Sequence, residues 1–131
     1  MNFEKTKVFY DEIKNYIVDG VASSFHITDV EEAPLCVEYG KGPRVYDVDG
    51  NEYIDYVLGL GPMILGHADE KTDKAVIEQL SRGTHFSAPT PQLKELAKRM
   101  CEIIPCDERV MFESTGSEAD MVAFRLARAY T

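Results

Sequence analysis

Apolar residues along this chain follow a helical period in several stretches and an alternating period in one. Phe3, Val8, Ile13 and Ile17 form a loose stripe among Lys, Glu and Asp, which predicts an exposed amphipathic helix within residues 3–18. Gly20 to Ser24 is rich in breakers, and His26 to Ala33 is polar and irregular. Val45-Tyr46-Asp47-Val48 and Tyr53-Ile54-Asp55-Tyr56 then alternate on either side of Asp49-Gly50-Asn51. That pattern predicts a β-hairpin, because Gly supplies the positive φ of the turn at little steric cost. Residues 35–39 add a third strand, and the aspartates around the turn, Asp47, Asp49 and Asp55, are expected to face solvent. Residues 57–68 are apolar but interrupted by three glycines, which suits a buried loop lying close to a ligand or another backbone.

The second half reads as helices and one strand. A helix over residues 70–81 would bury Ala75, Val76, Ile77 and Leu80. Thr90-Pro91 opens another: Thr90 can cap, Pro91 suits the first helical position, Leu93, Leu96, Ala97, Met100, Cys101 and Ile104 follow at helical spacing, and Pro105 closes it. Residues 109–112, Arg-Val-Met-Phe, read as a short buried strand that feeds a final helix through Ser114-Thr115-Gly116-Ser117. Ala119, Ala123 and Ala127 leave that helix room to pack closely on a sheet. A buried strand without a parallel neighbour, and a helix without a stop signal, are expected of part of a longer protein.

Composition narrows the classes. An apolar fraction of 44% argues for a packed protein rather than disorder. Most of the net charge of −9 falls in the first sixty residues, and no Lys/Arg cluster offers the footprint of a nucleic-acid site. No apolar run is long enough to span a bilayer, so no membrane partner is expected. Cys36, Cys101 and Cys106 form no CxxC pair, and the first residues lack the apolar core of a signal peptide. Together these predict a reduced, cytoplasmic protein.

The candidate chemistry lies at the last helix. Thr115-Gly116-Ser117-Glu118 fits a capping box, and the same turn aims backbone N–H groups and hydroxyls at one point, where the helix dipole favours a phosphate monoester. The two readings are compatible, provided that Glu118 and Asp120 point away from the anion. His67 reads as a packed structural histidine ahead of a base or a cofactor contact. His85 lies in a loop that is either substrate-facing or a plain connector. His26, His67 and His85 are too scattered to suggest a metal site.

Four segments in order resemble the N-terminal part of the class-III pyridoxal-phosphate aminotransferases, within them most nearly the glutamate-1-semialdehyde 2,1-aminomutase group. They are residues 46–56, residues 61–68 (Gly-Pro-Met-Ile-Leu-Gly-His-Ala), Ser87-Ala88-Pro89-Thr90, and residues 114–119 followed by Arg125-Leu126-Ala127-Arg128. The resemblance implies an α/β protein of fold-type I whose N-terminal helix and small antiparallel sheet (residues 1–68) contribute to a small domain. Residues 69–131 would begin the large mixed-sheet domain. It further implies pyridoxal 5'-phosphate as cofactor, held at Thr115, Gly116 and Ser117, a small-molecule amino donor and carbonyl acceptor, and a homodimer. The Schiff-base lysine of the family lies farther downstream, so no catalytic residue is expected here, and Lys94 and Lys98 do not replace it. At the substrate positions Ser23 is kept, His26 stands where the aminomutases carry a carboxylate-binding arginine, and Leu60 replaces a loop aromatic. An aminotransferase with another donor or acceptor fits these positions as well as the aminomutase does. A non-catalytic piece, or a phosphate-binding or interaction module that needs a partner chain, remains the alternative.

Overall fold

The computed structural model describes residues 1–27 and 33–131; the irregular stretch expected at 26–33 therefore lies largely outside the described residues. The chain forms two compact units, Met1–Arg82 and Gly83–Thr131.

In the first unit, helix α1 spans Glu4–Ile13 and is followed by a short 3-10 turn at Val18–Gly20, so the expected helix stops earlier than its apolar stripe. Strands β1 (Val37–Lys41), β2 (Arg44–Asp47) and β3 (Glu52–Ile54) form an antiparallel sheet in the order β1-β2-β3. Tyr39 stands opposite Tyr46, and the two rings stack with centroids 4.5 Å apart. Arg44 and Tyr46 both engage Glu52 across β2 and β3, a cross-strand pairing that reinforces the register. Helix α2 spans Glu70–Leu80, with Asp69 accepting from the Thr72 N–H at 2.9 Å.

The predicted hairpin is present, with Gly50 at φ +84°, but its aspartates do not face solvent. Asp47 is fully buried, with 0% of its surface exposed. Its carboxylate accepts from the Asp49 and Asn51 N–H groups, from Asn51 Nδ2 and from the Tyr53 hydroxyl, at 2.7–3.0 Å. Burial pushes the Asp47 pKa up, but the hydrogen bonds from Asn51, Tyr53 and Asp49 outweigh it and hold the carboxyl below its ordinary value. Asp49, half-buried, reaches the first turn of α1 and accepts from the Lys5 N–H, the Thr6 N–H and the Thr6 hydroxyl, each at 2.8 Å. Desolvation opposes its ionisation, and the bonds from Lys5 and Thr6 again prevail, so its pKa is lowered. Asn51 adds a bond to the Asn2 carbonyl. A buried carboxylate is tolerated when its lone pairs are met, and here they organise the turn that docks α1.

The second unit carries α3 (Pro91–Ile103) and α4 (Gly116–Tyr130). Thr90 accepts from the Leu93 N–H at 3.3 Å and Pro91 is the first helical residue, as the sequence predicts. Residues 109–112 do not form the expected strand: among the described residues the β-ladders join only β1, β2 and β3. A strand is defined by its neighbour, and none pairs with this segment. Val76, Ile77 and Leu80 of α2, expected to be buried, are more than half exposed, and Ala75 is exposed as well. Ala119, Ala123 and Ala127 of α4 are likewise exposed. Among the described residues, Ala33 is the one apolar side chain classed as buried.

Candidate functional site

The start of α4 is built by its own sequence. Thr115, in extended conformation, accepts from the Glu118 N–H at 3.2 Å, and the Thr115 hydroxyl donates to Glu118 Oε2 at 2.9 Å. One half of the capping box is present: Thr115 takes the Glu118 N–H, but the Glu118 carboxylate bonds the cap hydroxyl and not the Thr115 N–H, against the expectation that it points away from the turn. The cap uses the Glu118 amide. The amides of Gly116 and Ser117 precede it in the first turn, where an α-helix offers no internal acceptor. A Cβ placed on Gly116 would meet nothing within 4 Å, so approach to this backbone is open. Ser114, Thr115, Gly116 and Ser117 are all exposed. Exposed hydroxyls, first-turn amides without a partner among the described residues and the positive end of a long helix favour a phosphate group, while the Glu118 carboxylate at the same turn opposes one.

The candidate substrate residues belong to the first unit, and each is held by its own local turn. Ser23 Oγ accepts from the Phe25 N–H at 3.3 Å, capping the 3-10 turn Ser24–His26, and the His26 N–H bonds the Ser23 carbonyl at 3.0 Å. Both side chains are exposed. Leu60 lies in a second 3-10 turn, Leu58–Leu60, with φ +67° and 71% of its surface exposed. The loop around it is not buried as expected: Ile64 and Leu65 are exposed too, and backbone hydrogen bonds tie its feet to Gly42 and Pro43. Lys94 and Lys98 are exposed on α3 beside Glu95 and Glu102, in keeping with surface roles. His85 is exposed in its loop.

One pair escaped the sequence reading. His67 Nε2 lies 2.7 Å from Asp55 Oδ2, while Asp55 Oδ1 accepts from the Val57 and Leu58 N–H groups at 2.8 and 3.0 Å. The Leu58 amide, then the His67 bond, outweigh partial burial and hold the Asp55 carboxyl below its ordinary value. His67 is thus a packed structural histidine with an ionised partner, which corrects the expectation of a solvent-facing Asp55. Asp55 and His67 are joined by an irregular loop and not by one helix or strand, so periodicity gave no signal.

Residues 27–131 match the class-III aminotransferase family. The chain belongs to the class-III aminotransferases. Among class-III relatives, the glutamate-1-semialdehyde 2,1-aminomutase of Persephonella marina is 46% identical over 132 aligned positions, covering 100% of this chain and 31% of its own length. An omega-transaminase from Sphaerobacter thermophilus superposes with a TM-score of 0.92 at 30% identity, over 100% of this chain and 31% of that one. A transaminase solved with pyridoxal phosphate bound gives 0.92 at 34% identity, over 99% and 30%. The chain thus spans about a third of the length of these class-III proteins. The α/β architecture read from the sequence is that of these transaminases. No helix among the described residues is long and apolar enough to cross a membrane, and no cluster of His, Cys, Asp and Glu among them could hold a metal ion.

Proposed function

We propose that this chain serves a pyridoxal-phosphate-dependent aminotransferase or aminomutase, in which it supplies the grip on the cofactor phosphate and part of the substrate entrance. The observation that carries this reading is the open N-terminus of α4, capped by Thr115, in a chain of the class-III family. The residues fit the group: Gly116 and Ser117 offer backbone donors, the Ser117 hydroxyl adds another, and Gly116 leaves room for close approach. Thr115 divides its hydroxyl between the Glu118 amide and carboxylate, so its part is to fix the turn. Bound pyridoxal phosphate supplies an electron sink through which an amino group passes between donor and acceptor. This chain's own residues bind and orient. Ser23, His26 and Leu60 would face a small-molecule amino donor and a carbonyl acceptor. His26 offers a weaker, pH-dependent hold on a carboxylate than an arginine would. The working enzyme is proposed to be a cytoplasmic homodimer, with residues 1–68 in its small domain and residues 69–131 opening its large domain.

The alternative, a non-catalytic module that needs a partner chain, is favoured by the exposed Leu93 and Leu96 on α3 and Met121, Phe124 and Leu126 on α4. Grafting this chain in place of the matching third of the Persephonella marina aminomutase separates the two. The leading reading expects the graft to retain pyridoxal phosphate, seen in its visible absorbance, and to turn over an amino donor. A folded graft that retains no cofactor overturns it. The 131-residue chain by itself is expected to show no turnover.

A further inference from the structure

Residues 57–68 combine strain with clamping. Leu58, Leu60 and Ala68 adopt φ of +52°, +67° and +52°, a left-handed region that L side chains enter only when their surroundings enforce it. The enforcement sits at the feet of the loop. At the first foot the Asp55 N–H bonds the Pro43 carbonyl at 2.9 Å, and Asp55 Oδ1 takes the Val57 and Leu58 amides. At the second, His67 and Gly42 exchange two backbone hydrogen bonds of 2.8 Å. Asp55 Oδ2 joins the feet through His67 Nε2, and because an ionised carboxylate only accepts, that nitrogen carries the proton. The fit is tight: a Cβ on Gly40 would stand 2.5 Å from His67 Cγ, and one on Gly66 would stand 2.7 Å from the Gly42 carbonyl oxygen. Above the clamp, the loop crest exposes Leu60, Ile64 and Leu65.

We propose that Asp55 is a positioning residue: by holding His67 with one oxygen and the Val57 and Leu58 amides with the other, it locks the loop in its left-handed path and fixes Leu60 at the substrate side. This rests on the reading of Leu60 as a substrate contact given above. The carboxylate touches no reacting group itself and acts through the backbone it pins. Asparagine at this position could still bridge the feet by donating Nδ2 to the other imidazole tautomer, whereas alanine serves neither foot. Leu60 then samples other positions while the phosphate grip on α4 stays as it was. A residue that only stabilised the fold would lower the melting temperature and leave the substrate affinity of the folded protein alone.

The test uses the graft described above together with the 131-residue chain. In the graft, Asp55→Ala is expected to raise KM for the amino donor about tenfold, with cofactor absorbance and kcat changed less than about twofold. His67→Gln, which keeps a donor for Asp55, is expected to recover most of the loss seen in His67→Leu. An unaltered KM in folded Asp55→Ala, or equal behaviour of the two His67 variants, overturns the proposal. If the unsubstituted graft turns nothing over, the functional reading fails. The clamp is then decided in the 131-residue chain by NMR, where Asp55→Ala should change the backbone couplings of Leu58 and Leu60. Unchanged couplings there overturn it.

Discussion

Helices α1 and α4 solve the same problem in opposite ways. Each begins with backbone amides that no residue of the helix can accept. At α1 a carboxylate from a distant turn fills the position: Asp49 takes the Lys5 and Thr6 amides, and Asp47 holds that turn in shape from beneath. At α4 the cap is a neighbouring hydroxyl, and the first amides stay open beside exposed Ser117 and Gly116. A helix start already neutralised by its own protein has nothing to offer an outside anion. One left open does, and the contrast marks which of the two could serve a ligand.

The largest expected effect comes from acid. Asp47 and Asp49 both have lowered folded-state values, so the stability they contribute is present above the ordinary aspartate value of about 3.9 and is lost as pH falls through their depressed values. Amide exchange across α1 and the hairpin, followed from about pH 5 down to pH 2 after correction for intrinsic exchange, should accelerate in that window. The bond that caps α4, from the Glu118 amide to the Thr115 hydroxyl, survives protonation of the Glu118 carboxylate, so α4 should lose less protection. Equal loss of protection at both helices would break the comparison.

Next is Asp47→Ala, which strips a buried carboxylate from its donors and should destabilise the first unit by about 3 kcal/mol in urea titration. Protection in the first turn of α1 should fall with it, since Asp49 is no longer aimed. An α1 indifferent to this change would show that the turn is not what holds it. Ser117→Asp should make α4 resemble α1 by supplying a carboxylate at its start. Inorganic phosphate affinity, measured by phosphorus NMR, should then drop about tenfold. The smallest change is Thr115→Ala, expected to cost about 1 kcal/mol of α4 stability in exchange experiments, with Thr115→Ser retaining most of it.

What was legible in the sequence was local. The Asp49-Gly50 hairpin, the Thr90-Pro91 start and the Thr115 cap on the Glu118 amide each depend on residues a few positions apart, and each is present. What failed depends on partners far along the chain or on neighbours beyond it. Periodicity found the apolar side of α2 but not whether anything covers Val76 and Ile77, and both are exposed. Residues 109–112 have β-forming composition, yet a strand also requires a ladder. Asp47 was misplaced because a carboxylate beside a turn ordinarily faces water. Its burial depends on Asn51 and Tyr53 converging on it, which composition does not reveal. At the candidate site, the Thr115 cap was readable from its residue types, whereas the Asp55–His67 clamp required the fold.

The paired hydrogen bonds between Gly42 and His67 close the chain on itself, so that the hairpin and the glycine-rich crest hang from one non-covalent knot. Segments tied off in this way can change length cheaply, since doubling a flexible loop costs only about 0.6 kcal/mol in closure entropy. Insertions or deletions between Leu60 and Leu65 would leave the strands in register while reshaping what the crest presents. A chain built like this can change what its crest presents while its framework keeps still.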